Sequence, residues 1–217
     1  MLTGGLSGDV RAWRVTPELA PRRTPEVAAA GVVTMALSRD GSQLAYAATD
    51  GKRLSIAPFD GTACHVTGAP QHIPYAFGGT GSATMQTSAT QDQPGSLAFS
   101  PDGKRLLAGS RSGATINVYR AEAAGFVHVL ASEAHRGSVD VVGFLSDDRI
   151  LSAREDDLRT ATLSGDKLTW GERLRPLDGA GGWTTVITSS PGGALVFIGG
   201  GRGDSGTAWL YRTRDLR

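Results

Sequence analysis

The chain has one cysteine, Cys64, in 217 residues. That excludes an intramolecular disulfide and any zinc site built on paired thiolates, and it fits a reducing compartment, so a cytoplasmic location is expected. Charge of one sign is lacking too: 22 Lys+Arg stand against 21 Asp+Glu, a formal net charge of +1. Nucleic-acid and membrane-surface binding both draw on a basic field, so neither is expected. No apolar run approaches the roughly 20 residues needed to span a bilayer. Met1-Leu2-Thr3-Gly4-Gly5 offers no basic stretch leading into an apolar one, so no leader is expected either. Helical periodicity is scarce, with few windows that keep apolar residues at i, i+3, i+4 and i+7 over about ten positions. What is present in quantity is punctuation. The 30 Gly and 10 Pro fall, with Ser, Thr and Asp, between short apolar runs, and a 40% hydrophobic share is enough for a substantial core. Short strands joined by tight turns are expected, hence an all-β fold.

A turn recurs along the chain as Ser38-Arg39-Asp40-Gly41, Ser100-Pro101-Asp102-Gly103, Ser146-Asp147-Asp148-Arg149 and Ser190-Pro191-Gly192-Gly193, at spacings of about 62, 46 and 44 residues. The later spacings are close to the ~40–45 residues of a four-stranded propeller blade. The longer first one is explained if residues 69–94, rich in Gly, Ser, Thr, Gln and Pro, are an inserted flexible loop. Alternating apolar runs flank each turn: Val32 to Leu37 and Gln43 to Ala48, Ser96 to Phe99 and Arg105 to Gly109, Val139 to Leu145 and Arg149 to Ala153, Trp183 to Thr188 and Ala194 to Ile198. Ser and Asp side chains bond nearby backbone and Gly supplies positive φ, as a hairpin turn requires. Third strands are expected at Arg53 to Ala57, Thr115 to Arg120, Leu158 to Leu163 and Thr207 to Arg212, and weaker fourth strands at Ala63 to Val66, Gly125 to Ala131 and Lys167 to Leu174. One such sheet cannot bury both faces, so the sheets must stack, and stacking around an axis gives a β-propeller over residues 1–217. About four to five blades are accounted for. An incomplete ring is expected, open to self-association or to completion by another chain, with a small closed ring as the alternative.

Three stretches resemble a known family, one of them Ser96-Leu97-Ala98-Phe99-Ser100-Pro101-Asp102-Gly103, which is similar to its first strand and turn. Ala134-His135-Arg136-Gly137-Ser138-Val139, then Val142-Gly143-Phe144 and Ile150-Leu151-Ser152-Ala153-Arg154-Glu155-Asp156, is similar to the WD-repeat pattern, and Gly8-Asp9-Val10-Arg11-Ala12-Trp13 resembles the end of another repeat. The resemblance implies a structural hydrogen-bond network in which His135, Ser152 and Asp156 take the His, Ser/Thr and Asp places. Ala161 stands about where the Trp would be, and Trp13 and Tyr119 match that aromatic in their own repeats. It also implies a longer ring of which this is the C-terminal part. Its expected function is that of a non-catalytic scaffold that binds other proteins. They would dock on the face made by the loops entering first strands and the turns between second and third strands, at Thr49, Arg111, Glu155 and Arg202, with Arg136 and Trp183 in entering loops.

The remaining motifs carry little chemistry. Gly203-Asp204-Ser205-Gly206 spells a serine-protease nucleophile turn with His65 upstream, but no matching sequence surrounds any His, and a turn is due there. Gly201-Arg202-Gly203-Asp204-Ser205 contains an Arg-Gly-Asp tripeptide, better read as a hairpin tip, and Gly199-Gly200-Gly201-Arg202-Gly203 leads into a strand where a phosphate loop would open a helix. His65, His72, His128 and His135 are scattered, without metal-ligand spacing. Glu155-Asp156-Asp157 reads as turn and solvated carboxylates. The large aromatics Trp13, Tyr119, Trp183 and Trp209 are expected to pack between blades. No catalytic residue, metal or cofactor is expected. The alternative reading is a propeller-based small-molecule hydrolase or lactonase, or the propeller portion of a larger enzyme.

Overall fold

The computed structural model describes residues 2–4, 10–14, 20–23, 31–48, 53–75, 94–111, 113–155, 157–174, 183–190, 193–202 and 205–216. They form an all-β fold with no α-helix among them; the sole helical turn is a 3-10 turn at Thr213–Asp215. Four antiparallel sheets are arranged as the blades of a β-propeller that hydrogen bonds do not close into a ring.

Blade A comprises β4 (Val32–Leu37), β5 (Gln43–Ala48) and β6 (Arg53–Asp60), with β7 (His65–Val66) and β8 (Gln71–Pro74) both pairing with β6. Blade B runs β9 (Pro94–Phe99), β10 (Arg105–Ser110), β11 (Thr115–Glu122) and β12 (Gly125–Glu133). Blade C runs β13 (Val141–Phe144), β14 (Arg149–Arg154), β15 (Asp157–Ser164) and β16 (Lys167–Leu174), and blade D has β17 (Trp183–Ser189), β18 (Leu195–Arg202) and β19 (Ser205–Arg212). A further three-stranded sheet, β1 (Leu2–Gly4), β2 (Val10–Arg14) and β3 (Ala20–Arg23), precedes them, with β1 beside β4. The stretch expected as a loop from residue 69 therefore begins with a strand: β8 takes the fourth-strand place against Leu54 and Ile56. Residues 76–93 lie outside the described residues.

The hairpin turns show why the repeat is spelled as it is. The Ser hydroxyl donates to the Asp carboxylate two residues on, at 2.6 Å in Ser38–Asp40, Ser100–Asp102 and Ser146–Asp148. The hydroxyl oxygens of Ser38, Ser100 and Ser190 each accept an amide across the hairpin, from Gln43 (2.9 Å), Arg105 (2.9 Å) and Leu195 (3.1 Å) respectively. Gly41, Gly103 and Gly193 sit at φ +74, +70 and +68, a region that penalises any Cβ.

The first strands β4, β9, β13 and β17 lie side by side in chain order, and the core is the set of interfaces between blades. Ala45, Leu54 and Ile56 of blade A pack on Leu106, Tyr119 and Phe126 of blade B; Leu107 and Val118 of blade B pack on Phe144, Ile150 and Ala161 of blade C; Leu151 and Leu158 of blade C pack on Val196 and Ile198 of blade D. Each Val, Leu, Ile or Phe side chain so buried contributes about 1.5–3 kcal/mol. Tyr119 lies in the first of these interfaces and Trp209 is partly buried at the third, so both pack between blades. Side-chain amides and carboxylates add joints: Gln71 both donates to the Phe126 carbonyl and accepts from the Phe126 amide, and Asp147 accepts from the Asp102 amide at 2.8 Å.

Candidate interaction face

His135 stands in the loop entering blade C, its side chain fully buried. Its Nδ1 lies 3.1 Å from Asp157 Oδ2 and its Nε2 2.9 Å from Ser152 Oγ. Burial pushes the imidazole below its ordinary value against the opposing pull of Asp157, so the ring is neutral at neutral pH. An ionised carboxylate only accepts, so Nδ1–H donates to Asp157 and Nε2 accepts from the Ser152 hydroxyl. Asp157 also pairs with Arg173 at 2.8 Å.

The carboxylate on His135 is thus Asp157; Asp156 lies outside the described residues. Register corrects a second position: Ser152 pairs with Arg159, whereas Ala161 pairs with Ile150. Arg159 donates to the Ala134 carbonyl at 2.6 Å and lies 5.0 Å from the centre of the Trp170 ring, whose Nε1 donates to Ser132 in blade B. An aromatic does complete the cluster, but from the fourth strand β16.

Serine, histidine and aspartate joined in this order have the connectivity of a hydrolase triad. Ser152 is fully buried in the middle of β14, and neither of the two large cavities is lined by Ser152 or His135. A nucleophile needs a path for substrate, and Ser152 is fully buried away from both cavities.

Those two cavities mark the ends of the propeller axis. One, about 850 Å³, opens among the hairpin turns and is walled by Leu37, Phe99, Phe144 and Ile187. The other, about 490 Å³, opens at the end where chains enter the first strands, and every blade contributes: Val33 from A, Gly95 and Arg111 from B, Ser138, Val139, Asp140 and Glu155 from C, Thr184 and Thr185 from D. Arg111 and Glu155 are both exposed, each at the turn between second and third strands of its blade.

Glu155 is held in an uncommon backbone conformation, φ +53. Asp140 accepts from its amide at 2.8 Å and from the Ser138 hydroxyl at 2.9 Å, while the Glu155 carbonyl accepts from the Thr184 amide (3.1 Å) and hydroxyl (2.8 Å). Its backbone partners are fixed on both sides, and its exposed side chain lies 3.6 Å from Arg154. The result is a cleft with one exposed cation, one exposed anion and a row of hydroxyls on an irregular rim.

Of the other positions expected on this face, Arg136 is exposed in the loop entering β13 but does not line the cleft. Trp183 begins β17 opposite Gly201, and Arg202 pairs with Ser205 at the β18–β19 hairpin. Thr49 lies outside the described residues, as does Asp204. His65 is on β7 of blade A, with two blades between it and Ser205 in blade D. His72 and His128 are bonded to Ser55 (2.9 Å) and Asn117 (3.0 Å), and no group of three His, Cys, Asp or Glu able to hold a metal occurs among the described residues. Ser138, Asp140 and Thr184 were not singled out from sequence; Asp140 reaches Glu155, 15 residues on, only through the pairing of Val141 with Ala153.

Neither a protein-family model nor a curated protein sequence matches this chain. Fold and network together define a four-bladed β-propeller arrangement. No helix among the described residues is long and apolar enough to cross a membrane.

Proposed function

We propose that the protein is a non-catalytic scaffold of the WD-repeat type that docks other proteins on the end of the propeller carrying Arg111 and Glu155. The observation that carries this reading is the convergence of those two exposed side chains, from equivalent turns of neighbouring blades, on one cleft with Ser138, Asp140 and Thr184. A cleft lined by an exposed Arg suits a polypeptide surface, since arginine is enriched at positions that dominate interface energetics. The buried His135–Ser152–Asp157 chain supports the WD-type reading as a brace beneath that surface.

The test is quantitative affinity capture with the native protein and with an Arg111→Ala, Glu155→Gln variant. Partners of this face are expected to fall by about 10- to 100-fold in affinity on the double substitution. Capture of the same polypeptides by both proteins would sink the proposal. The Ser-His-Asp connectivity favours a second reading, a serine hydrolase, and a fluorophosphonate probe separates the two. A scaffold leaves Ser152 unlabelled; labelling that disappears in Ser152→Ala would establish a nucleophile.

A further inference from the structure

Blade D presents an apolar face that its equivalents do not. In blades A, B and C the pairs Ala45–Ile56, Leu107–Val118 and Leu151–Thr160 occupy the same place in the second-to-third-strand register. All six residues are buried, each pair on the side turned toward the following blade. The corresponding pair in blade D is Phe197–Leu210, exposed at 38% and 66%. Val186 (40%) and Leu195 (37%) share the face, because a Cβ on Gly199 would meet both Val186 and Phe197, and Leu195 is two residues along the strand from Phe197. Of the five exposed large hydrophobic residues among those described, four are here.

We propose that this face of blade D is a self-association surface, occupied by the same face of a second copy of the chain in a two-fold dimer. The proposal is independent of the binding face described above. Three features select a second copy. The surface continues, in geometry and residue type, the sheet-on-sheet interfaces that join A to B, B to C and C to D, so a β-sheet with apolar side chains fits it. Among the described residues that alternate onto this face in the β18–β19 register, Arg212, opposite Leu195 at one end, is the only ionised group. A sheet face pairing with itself closes after two copies, the commonest outcome for an oligomer. Three strands about 4.8 Å apart and some six residues long offer roughly 300 Å² per copy. That lies well under a standard stable interface, so the dimer is weak and concentration-dependent.

The experiment is sedimentation velocity on the whole chain from about 5 to 500 μM, with Phe197→Glu and Leu210→Glu alongside and thermal unfolding to verify that each variant is folded. The expected result is a shift from monomer to dimer mass across this range, abolished by either substitution. Phe197→Asn, a milder change, should weaken association at least tenfold if the glutamate variant fails to fold. A monomer at every concentration overturns the proposal, as does a dimer that both variants retain. An open series of masses overturns it in favour of head-to-tail contact. Loss in Leu210→Glu with retention in Phe197→Glu overturns it in favour of pairing along the edge of β19, which no fourth strand covers among the described residues.

Discussion

At the scale of single residues, His135 is the most informative side chain. Its folded-state proton affinity is depressed by burial, so the unfolded chain takes up a proton first as pH falls. Stability contributed by the neutral ring is complete above the ordinary imidazole value of about 6.5 and is lost as pH falls from there through the lower folded value. Denaturant midpoints between pH 8 and pH 5 should show this decline, and His135→Gln should flatten it. Removing the ring also deprives Ser152 of its acceptor and leaves Asp157 with Arg173 alone, at a cost of about 2–4 kcal/mol at pH 7.5. An unchanged pH profile in the variant would mean that other groups control the acid limb. The sequence pointed to His135 and Ser152 through a pattern of residue types. The carboxylate it named, Asp156, lies outside the described residues, and the one bonded to His135 is its neighbour Asp157.

At the scale of elements, turn chemistry was the most legible feature. β4, β5 and β16 fall on the ranges read from alternation, and the Ser-x-Asp-Gly turns close as their side chains demand. Ser100→Ala removes both the bond to Asp102 and the acceptor for the Arg105 amide, and it should cost about 1–2 kcal/mol in chemical denaturation. Gly109→Ala should cost more, about 2–3 kcal/mol, because its Cβ would lie 2.9 Å from Val139 Cγ1 and 3.1 Å from Val142 Cγ1, against blade C. An equal or smaller loss would mean that the blades part easily. β8 was less legible. Gln71–Pro74 is short and polar, and it pairs with β6 in a register that only the folded sheet defines; its energetic anchor, the double bond of Gln71 to Phe126, is made with another blade.

At the scale of the whole molecule, the repeat spacing foretold stacked four-stranded sheets, and the arrangement of four blades follows it. What the repeat could not convey is the axial cleft, because its nine lining residues come from all four blades and no local pattern encodes their convergence. Blades B and C are packed on both faces, whereas blade D is covered on one. Amide exchange should therefore be slowest in β10, β11, β14 and β15 and markedly faster in β18 and β19, measured at a protein concentration below any association. Uniform protection across all blades would show instead that the propeller opens only as a unit.

The blades are joined face to face chiefly by side chains while each is stitched internally by backbone hydrogen bonds, and this gives the molecule direction-dependent mechanics. A load applied between the chain ends runs through the interfaces in series, so the weakest leaf should detach while its neighbours hold. Blade D, gripped on one side, is the expected first release. Blade D runs from Trp183 to Arg212, and at about 3.4 Å per residue its release gives a contour gain of roughly 100 Å. Pulled in an optical trap, the protein should lengthen first by a step of that size, like a fan whose ribs are drawn out one at a time.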